Sequence, residues 1–542
     1  MKINNFTHKN YTIHDSFYQL KLPINTEYMI PKDDSVRLLS QFIEEMDLTD
    51  LYSTYSRIRE NQATPRQMLK IVLYSYMNKN YASRSMELSC KRDVNFMYLL
   101  EGSPVPDHST FARFHSLHFA QCSETIIAEM TNLLYEIGEI SGDAIFIDGT
   151  KIEAASNKYT FVWKKSVTKN LERLLSKLAD FVAECEKTYG LKLIYENCVK
   201  IKHVKKLRKK LYALKLQENI NFVHGCGKRK TPIQRSIEKL EEFLNKLKEY
   251  TQKIHTCGSR NSYSKTDNDA TFMRMKEDAM KNGQLKPGYN VQHGVDSEYI
   301  AWLTVGPQPT DTTTLIPFIK SMENLLYFKY FKIVADAGYE SEENYVYVKA
   351  NGQLSYIKPS NFEISKTRKY KQDISKIQNM DYSEFGDYYT CENNRRLTVN
   401  KILSRKSKTG YLSEKTIYTS EDCSNCEHKS KCIKGYNCKT SLEDRVKNLE
   451  TSKLFNMLRK ENLERIVSEE GCKLRMNRSI QAEGSFAQIK QDMGFRRYLS
   501  KGKKNVLVES IMLAMAHNIN KLHNKIQSDR TETHLFPLKK SS

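Results

Sequence analysis

Ala144-Ile145-Phe146-Ile147-Asp148-Gly149-Thr150 is the stretch on which the fold turns. Three large apolar residues in succession read as a short strand buried on both faces, and Gly149 lets the backbone turn just past a carboxylate. Phe331 to Ala335, followed by Asp336-Ala337-Gly338, has the same grammar. If the two strands are neighbours, Asp148 and Asp336 stand side by side at their ends. Taken singly, either aspartate has a plainer reading as the start of a turn. Pro287 to Val305 offers two more strands separated by Asp296-Ser297, a hairpin turn, and Leu354 to Ile357 offers another. From Ser479 through Leu499 the pattern becomes helical, with Phe486, Ile489 and Met493 on one side. Strands first and a helix last make an α/β core.

On that helix Glu483 and Lys490 are seven residues apart, about two turns, and so share a face. Glu483 could reach a metal and Lys490 a phosphate; the bland alternative is an exposed pair on an amphipathic helix. The text that follows, Gly494-Phe495-Arg496-Arg497-Tyr498-Leu499-Ser500-Lys501-Gly502-Lys503-Lys504, mixes aromatic and basic residues and suits backbone phosphates and unstacked bases. Arg496, Arg497, Lys501, Lys503 and Lys504 are its candidate DNA contacts. Two strand-end aspartates and a helical glutamate can together hold paired Mg²⁺ ions for phosphodiester chemistry.

The composition agrees with a polyanion partner. Among 542 residues, Lys+Arg 86 against Asp+Glu 64 gives +22, and 39% hydrophobic content is that of a globular chain of several domains. No apolar run approaches the roughly 18–20 residues of a membrane span, and the amino terminus lacks a secretory h-region. A cytoplasmic protein with no membrane association is expected, its 12 cysteines mostly reduced.

The expected organisation is a helical amino-terminal domain over 1–130, a core in three parts (131–164, 263–360 and 450–527), a helical insertion over 165–262, a cysteine-containing insertion over 361–449, and a polar, mobile tail over 528–542. Near the amino terminus, Thr64-Pro65 and Pro106-Asp107-His108-Ser109-Thr110-Phe111-Ala112-Arg113-Phe114 are capped helix starts. The second could open a recognition helix with Arg113 on DNA, or belong to a plain bundle. Lys200 to Lys215 is a basic run without an acid, suited to a DNA backbone or to solvent. Cys423, Cys426, Cys432 and Cys438, with His428 among them, are either ligands of a structural Zn²⁺ or reduced thiols. His293, His517 and His523 read as structural.

Asp-Gly-Thr-Lys-Ile-Glu-Ala at 148–154, Asp-Ala-Thr-Phe-Met-Arg-Met-Lys at 269–276, Lys-Pro-Gly-Tyr-Asn-Val-Gln at 286–292, Ala-Asp-Ala-Gly-Tyr at 335–339 and the Glu483 segment resemble, in order, the bacterial insertion-sequence transposases of the DDE type. The part around Asp107-His108-Ser109-Thr110-Phe111 resembles their InsH-like helical domain. The resemblance implies an RNase H-like catalytic fold, Mg²⁺ or Mn²⁺ dependence, Asp148, Asp336 and Glu483 as catalytic and metal-binding residues, and cleavage and joining of double-stranded DNA at element ends and target, by a homodimer on chromosomal or plasmid DNA. Several relatives carry a Tyr, Arg, Glu, Lys signature whose arginine lies four residues before the glutamate. Here that position is Ser479 and the arginine is Arg478, while Lys490 is in place. Two alternatives stay open: an RNase H-like host nuclease without strand transfer, and a decayed DNA-binding protein.

Overall fold

Ala144–Glu153 form the first strand, β1, and Ile145, Phe146 and Ile147 are wholly buried, as a central strand covered on both faces requires. The computed structural model describes residues 29–538 apart from 58–60, 196–198, 226, 228, 276–282, 436, 437 and 439. The first 28 residues of the expected helical domain, Lys276 of the 269–276 motif and the last four residues of the tail lie outside the described residues.

Around β1 are β2 (Thr271–Arg274), β3 (Leu285–Asp296), β4 (Tyr299–Gly306), β5 (Lys332–Ala335) and β6 (Leu354–Ile357). The order is β4-β3-β1-β5-β6, with β2 beside the start of β3 on the edge that β4 also uses. β1, β3 and β4 form an antiparallel meander, whereas β5 and β6 run parallel to β1. Ser297 and Glu298, both with positive φ (56° and 71°), make the tight turn between β3 and β4 that the right-handed twist of a hairpin favours. The parallel strands need crossovers, and the helix Glu342–Ala350 supplies the one between β5 and β6.

The long helix Lys503–Gln527 is buried on nearly all sides from Val506 to Ile519. Asn518 accepts from the Ile300 N–H (2.8 Å) and donates to the Ile300 carbonyl (3.0 Å), while Thr131 donates to the Ala301 carbonyl (2.8 Å). These bonds satisfy the outer edge of β4. One apolar core runs from Ile30 to Leu522, so the amino-terminal helices and the sheet share it.

Two segments have cores of their own. Lys164–Tyr189, Ile201–Gln217 and Pro232–Cys257 pack around Leu178, Val204, Leu207 and Leu240, and leave the sheet through the short pair Phe161–Trp163 and Ser262–Ser264. Between residues 381 and 451 a five-stranded antiparallel sheet closes over Leu397 and Tyr418. The tail is more ordered than its polarity suggested: the Thr533 carbonyl accepts from Lys525 Nζ (3.1 Å), the His534 carbonyl from Gln481 (2.9 Å), and the Phe536 N–H donates to Asn477 (2.8 Å). Among the described residues no helix is long and apolar enough to cross a membrane.

Candidate active site

In the parallel register Ile147 faces Ala335, so Asp148 and Asp336 follow side by side at the ends of that pairing. Asp148 is buried, 9% exposed, and Asp336 is half-buried. Asp336 stays extended before the short turn Ala337–Tyr339, and among the described residues its carboxylate has no hydrogen-bond or ion-pair partner.

The third acid arrives on a helix whose winding changes along its length. Glu469–Arg478 is α-helical, Ser479–Glu483 is π-helical, Gly484–Ala487 returns to α, and Gln488–Asp492 is π again. Such wide turns carry an extra residue and recur at functional sites. Phe486, Ile489 and Met493 are buried, which docks this helix as the apolar spacing predicts. His293, opposite Asp148 on β3, stacks on Phe486 (4.1 Å between ring centres), and its Nδ1 lies 3.3 Å from Ser485 Oγ. Burial, with His517 and Lys490 nearby adding, pushes His293 down to about 3, so it is a neutral, structural imidazole. Gln481 fixes the first π segment, accepting from the Glu298 N–H (3.0 Å) and donating to Asn477 Oδ1 (3.2 Å).

The π turn resolves the displaced arginine of the sequence. A π turn closes from i to i+5, so Arg478 lies beside Glu483 despite the longer spacing. Its Nη2 donates to Glu483 Oε1 at 2.9 Å, and its Nη1 stands 3.9 Å from Asp148 Oδ1. The Arg478 side chain is 12% exposed and Nη1 is buried without a hydrogen-bond partner, whereas the Glu483 side chain is 57% exposed. Arg478 therefore links the β1 aspartate to the helical glutamate. As the side chains stand, no three His, Cys, Asp or Glu among the described residues are gathered as a metal ion requires.

A fourth acid, Asp311, was not singled out from the sequence. Its Oδ1 accepts from Asn290 Nδ2 (2.7 Å) and Gln292 Nε2 (3.0 Å), residues of one face of β3. A Cβ at Gly149 would lie 2.7 Å from Asp311 Oδ1, and one at Gly338 would lie 3.4 Å from Oδ2. Asp311 thus approaches Gly149, which continues β1 past Asp148 rather than turning the chain there, and Gly338, two residues beyond Asp336. Burial, then the charges of Asp311 and Asp148, hold the Tyr339 hydroxyl well above its ordinary range. The available signals were the glycines after each aspartate and the alternating Asn290 and Gln292; Gln308-Pro309-Thr310-Asp311 alone reads as a loop.

The remaining predicted residues divide. Arg496, Lys501, Lys503, Lys504 and Arg113 are exposed. Arg497 is engaged by its own fold, donating to the Ala154 and Ser156 carbonyls at 3.3 Å each beside the end of β1. Phe495 and Tyr498 are buried at 2% and 1%, so they cannot stack on unstacked bases as the aromatic and basic text suggested. The zinc reading also fails to gather support. Cys438 is exposed; burial pushes the Cys432 thiol up, and Cys391, Cys423 and Cys426 are the thiols that add to that shift.

A transposase DDE domain model matches residues 390–523, and a transposase domain (DUF772) model matches residues 24–117. Over these two segments the chain is similar to transposases of the DDE type. No curated protein and no solved structure matches it. The DDE match includes Arg478, Glu483 and Lys490. Asp148 and Asp336 lie outside both matches, and their pairing rests on the register of β1 and β5.

Proposed function

We propose that this DNA transposase binds the terminal inverted repeats of its element and carries out divalent-metal-dependent phosphodiester hydrolysis followed by strand transfer, with Asp148, Asp336 and Glu483 as the catalytic acids on an RNase H-like sheet. The observation that carries the reading is the adjacency of Asp148, in the middle of β1 where its parallel pairing stops, and Asp336, just past the end of β5, with Arg478 joining Asp148 to Glu483. The strand order, an antiparallel meander extended by two parallel strands, supports the fold assignment.

The residues suit Mg²⁺ or Mn²⁺. They offer hard carboxylate oxygens, and the Asp336 carboxylate is half-buried without a cation among the described residues. Asp148, Asp336 and Glu483 would hold the metal, with Asp311 fixed beside them by two amides. When bound there, divalent ions supply charge that activates water and stabilises the departing oxygen. Arg478 Nη1, 3.9 Å from Asp148 Oδ1, makes no hydrogen bond, and a phosphate oxygen there would satisfy it. Lys490, Arg496, Lys501, Lys503 and Lys504 extend a basic track from this helix into the next for DNA. Partners are the element ends and target DNA, with a homodimer as the working assembly.

The test uses duplex DNA carrying the inverted repeats that bracket the reading frame. Glu483→Gln keeps the side-chain shape and removes the charge; Mn²⁺-dependent nicking should disappear while end binding stays within about twofold. Nicking at the parent rate would overturn the assignment. Following strand transfer separately from nicking distinguishes a transposase from a nuclease of the same fold.

A further inference from the structure

The middle helix of the three-helix segment, Ile201–Gln217, holds its charges differently from its neighbours. It contains no acid. Val204, Leu207 and Leu211 are buried and face Pro232–Cys257 and the rest of that small core. Lys202, Lys205, Lys206 and Lys209 are exposed, and at 3.6 residues per turn they fall within about 100° of arc on the opposite face. The adjoining helix pairs two of its lysines within itself: Lys246 with Glu242 and Lys253 with Glu249, each one turn back. Other cations of the middle helix are occupied as well. Arg208 lies 3.9 Å from Glu241, Lys210 donates to the Lys192 carbonyl (2.7 Å), and Lys215 sits over the Phe222 ring (4.3 Å). The four lysines of the outer face have no ion pair, hydrogen bond or ring contact among the described residues.

A stripe of four unneutralised charges on a helix with its own packed core costs folding stability through mutual repulsion and returns nothing to the fold. We infer that this face is a docking surface for the phosphate backbone of duplex DNA. Lysines are flexible point charges, suited to backbone contact without reading sequence. From Lys202 to Lys209 the helix advances about 10 Å, enough for roughly two to three successive phosphates. The location fits. The segment departs from the sheet through Phe161–Trp163, soon after β1 ends at Glu153, and β1 is the strand that carries Asp148. DNA engaged at Asp148 would thus be held a second time, away from the chemistry. The inference takes its partner from the DNA-transposase reading but does not depend on the catalytic acids.

The experiment compares the full chain with a variant carrying Lys202→Gln, Lys205→Gln, Lys206→Gln and Lys209→Gln, using fluorescence anisotropy of a labelled duplex of arbitrary sequence across a KCl series. Each lost phosphate contact removes about 0.9 from the slope of log K against log salt, so the slope should become shallower by about 2 to 3, with affinity down about tenfold or more at low salt. The melting temperature should not fall, because all four side chains are exposed. A control with Lys246→Gln and Lys253→Gln, lysines already paired, should leave the slope unchanged. An unchanged slope in the fourfold variant, or an equal change in the control, overturns the inference. If the stripe instead mediates binding to phosphatidylserine vesicles while duplex binding is untouched, the partner is wrong and the inference fails. A parent chain that binds no duplex at all fails the transposase reading itself, a separate outcome.

Discussion

Replacing Gly149 by alanine asks whether Asp311 is built into the site. The added Cβ would lie 2.5 Å from Gln292 Nε2, 2.7 Å from Asp311 Oδ1 and 3.1 Å from Gln292 Cδ. Ordinary contact needs about 3.5 Å, so the amide and the carboxylate must each retreat by roughly 0.8 to 1 Å. The displaced pair share a 3.0 Å hydrogen bond, and Asp311 also holds Asn290 at 2.7 Å. Overpacking of this kind costs about 1 to 3 kcal/mol, and a displacement near 1 Å in a catalytic arrangement lowers rate by about 10²-fold. Urea unfolding should show the loss of stability, and Mn²⁺-dependent nicking of an element-end duplex the loss of rate. Gly484→Ala is the control for stability: nothing lies within 4 Å of its added Cβ, and a helical glycine replaced by alanine gains up to about 1 kcal/mol. If Gly149→Ala unfolds and cleaves like the parent, or shifts the unfolding midpoint no more than Gly484→Ala does, the close approach of Asp311 to β1 is refuted.

Two further outcomes follow from the same geometry. Asp311→Asn retains the shape and one acceptor oxygen, so the fold should hold while the Mn²⁺ concentration for half-maximal nicking rises about 10- to 100-fold; a metal titration with no shift would remove Asp311 from the site. Burial pushes His115 and His517 each down to about 4 from an ordinary 6.5, so the unfolded chain takes up those protons first as pH falls. Their contribution to stability is complete above about pH 6.5 and is lost between there and about pH 4. A melting series over that window should fall with acid, and His517→Gln, which can still donate to the Glu298 carbonyl, should flatten part of the slope; an unchanged slope would contradict it.

The apolar strands were the legible part of this chain. Leu354–Ile357 is a strand with the limits its residues suggest, and the hairpin read across Asp296-Ser297 turns one residue later, at Ser297 and Glu298. β1 runs five residues past Asp148, because Thr150 and Lys151 look like loop while their backbone pairs with Val291 and Asn290. Polar residues in a central strand hide it from a pattern built on hydrophobicity. The proposed acids Asp148, Asp336 and Glu483 were singled out because each sits in a locally characteristic segment. Asp311 was not, since its partners Asn290 and Gln292 come from a distant strand and only tertiary packing brings them together. Phe495 and Tyr498 misled for the converse reason: aromatic residues among arginines look available for nucleic acid, yet Tyr498 donates or accepts at Ser510 Oγ (2.7 Å) inside the core.

The π turn between Arg478 and Glu483 bears on how relatives of this chain should be compared. Four residues of α-helix and five of π-helix bring the chain round by nearly the same angle, because each closes about one full turn. What the site holds constant is a direction in space, and a count of intervening residues is only its shadow. An insertion between the two would ordinarily swing the arginine to the far side; here the backbone widens and the pair stays within 2.9 Å. Searches that fix the arginine at one distance from the glutamate will pass over chains of this kind, whereas allowing either distance admits them. The same tolerance lets such a helix gain or lose a residue over evolutionary time without dismantling the charge pair beside it.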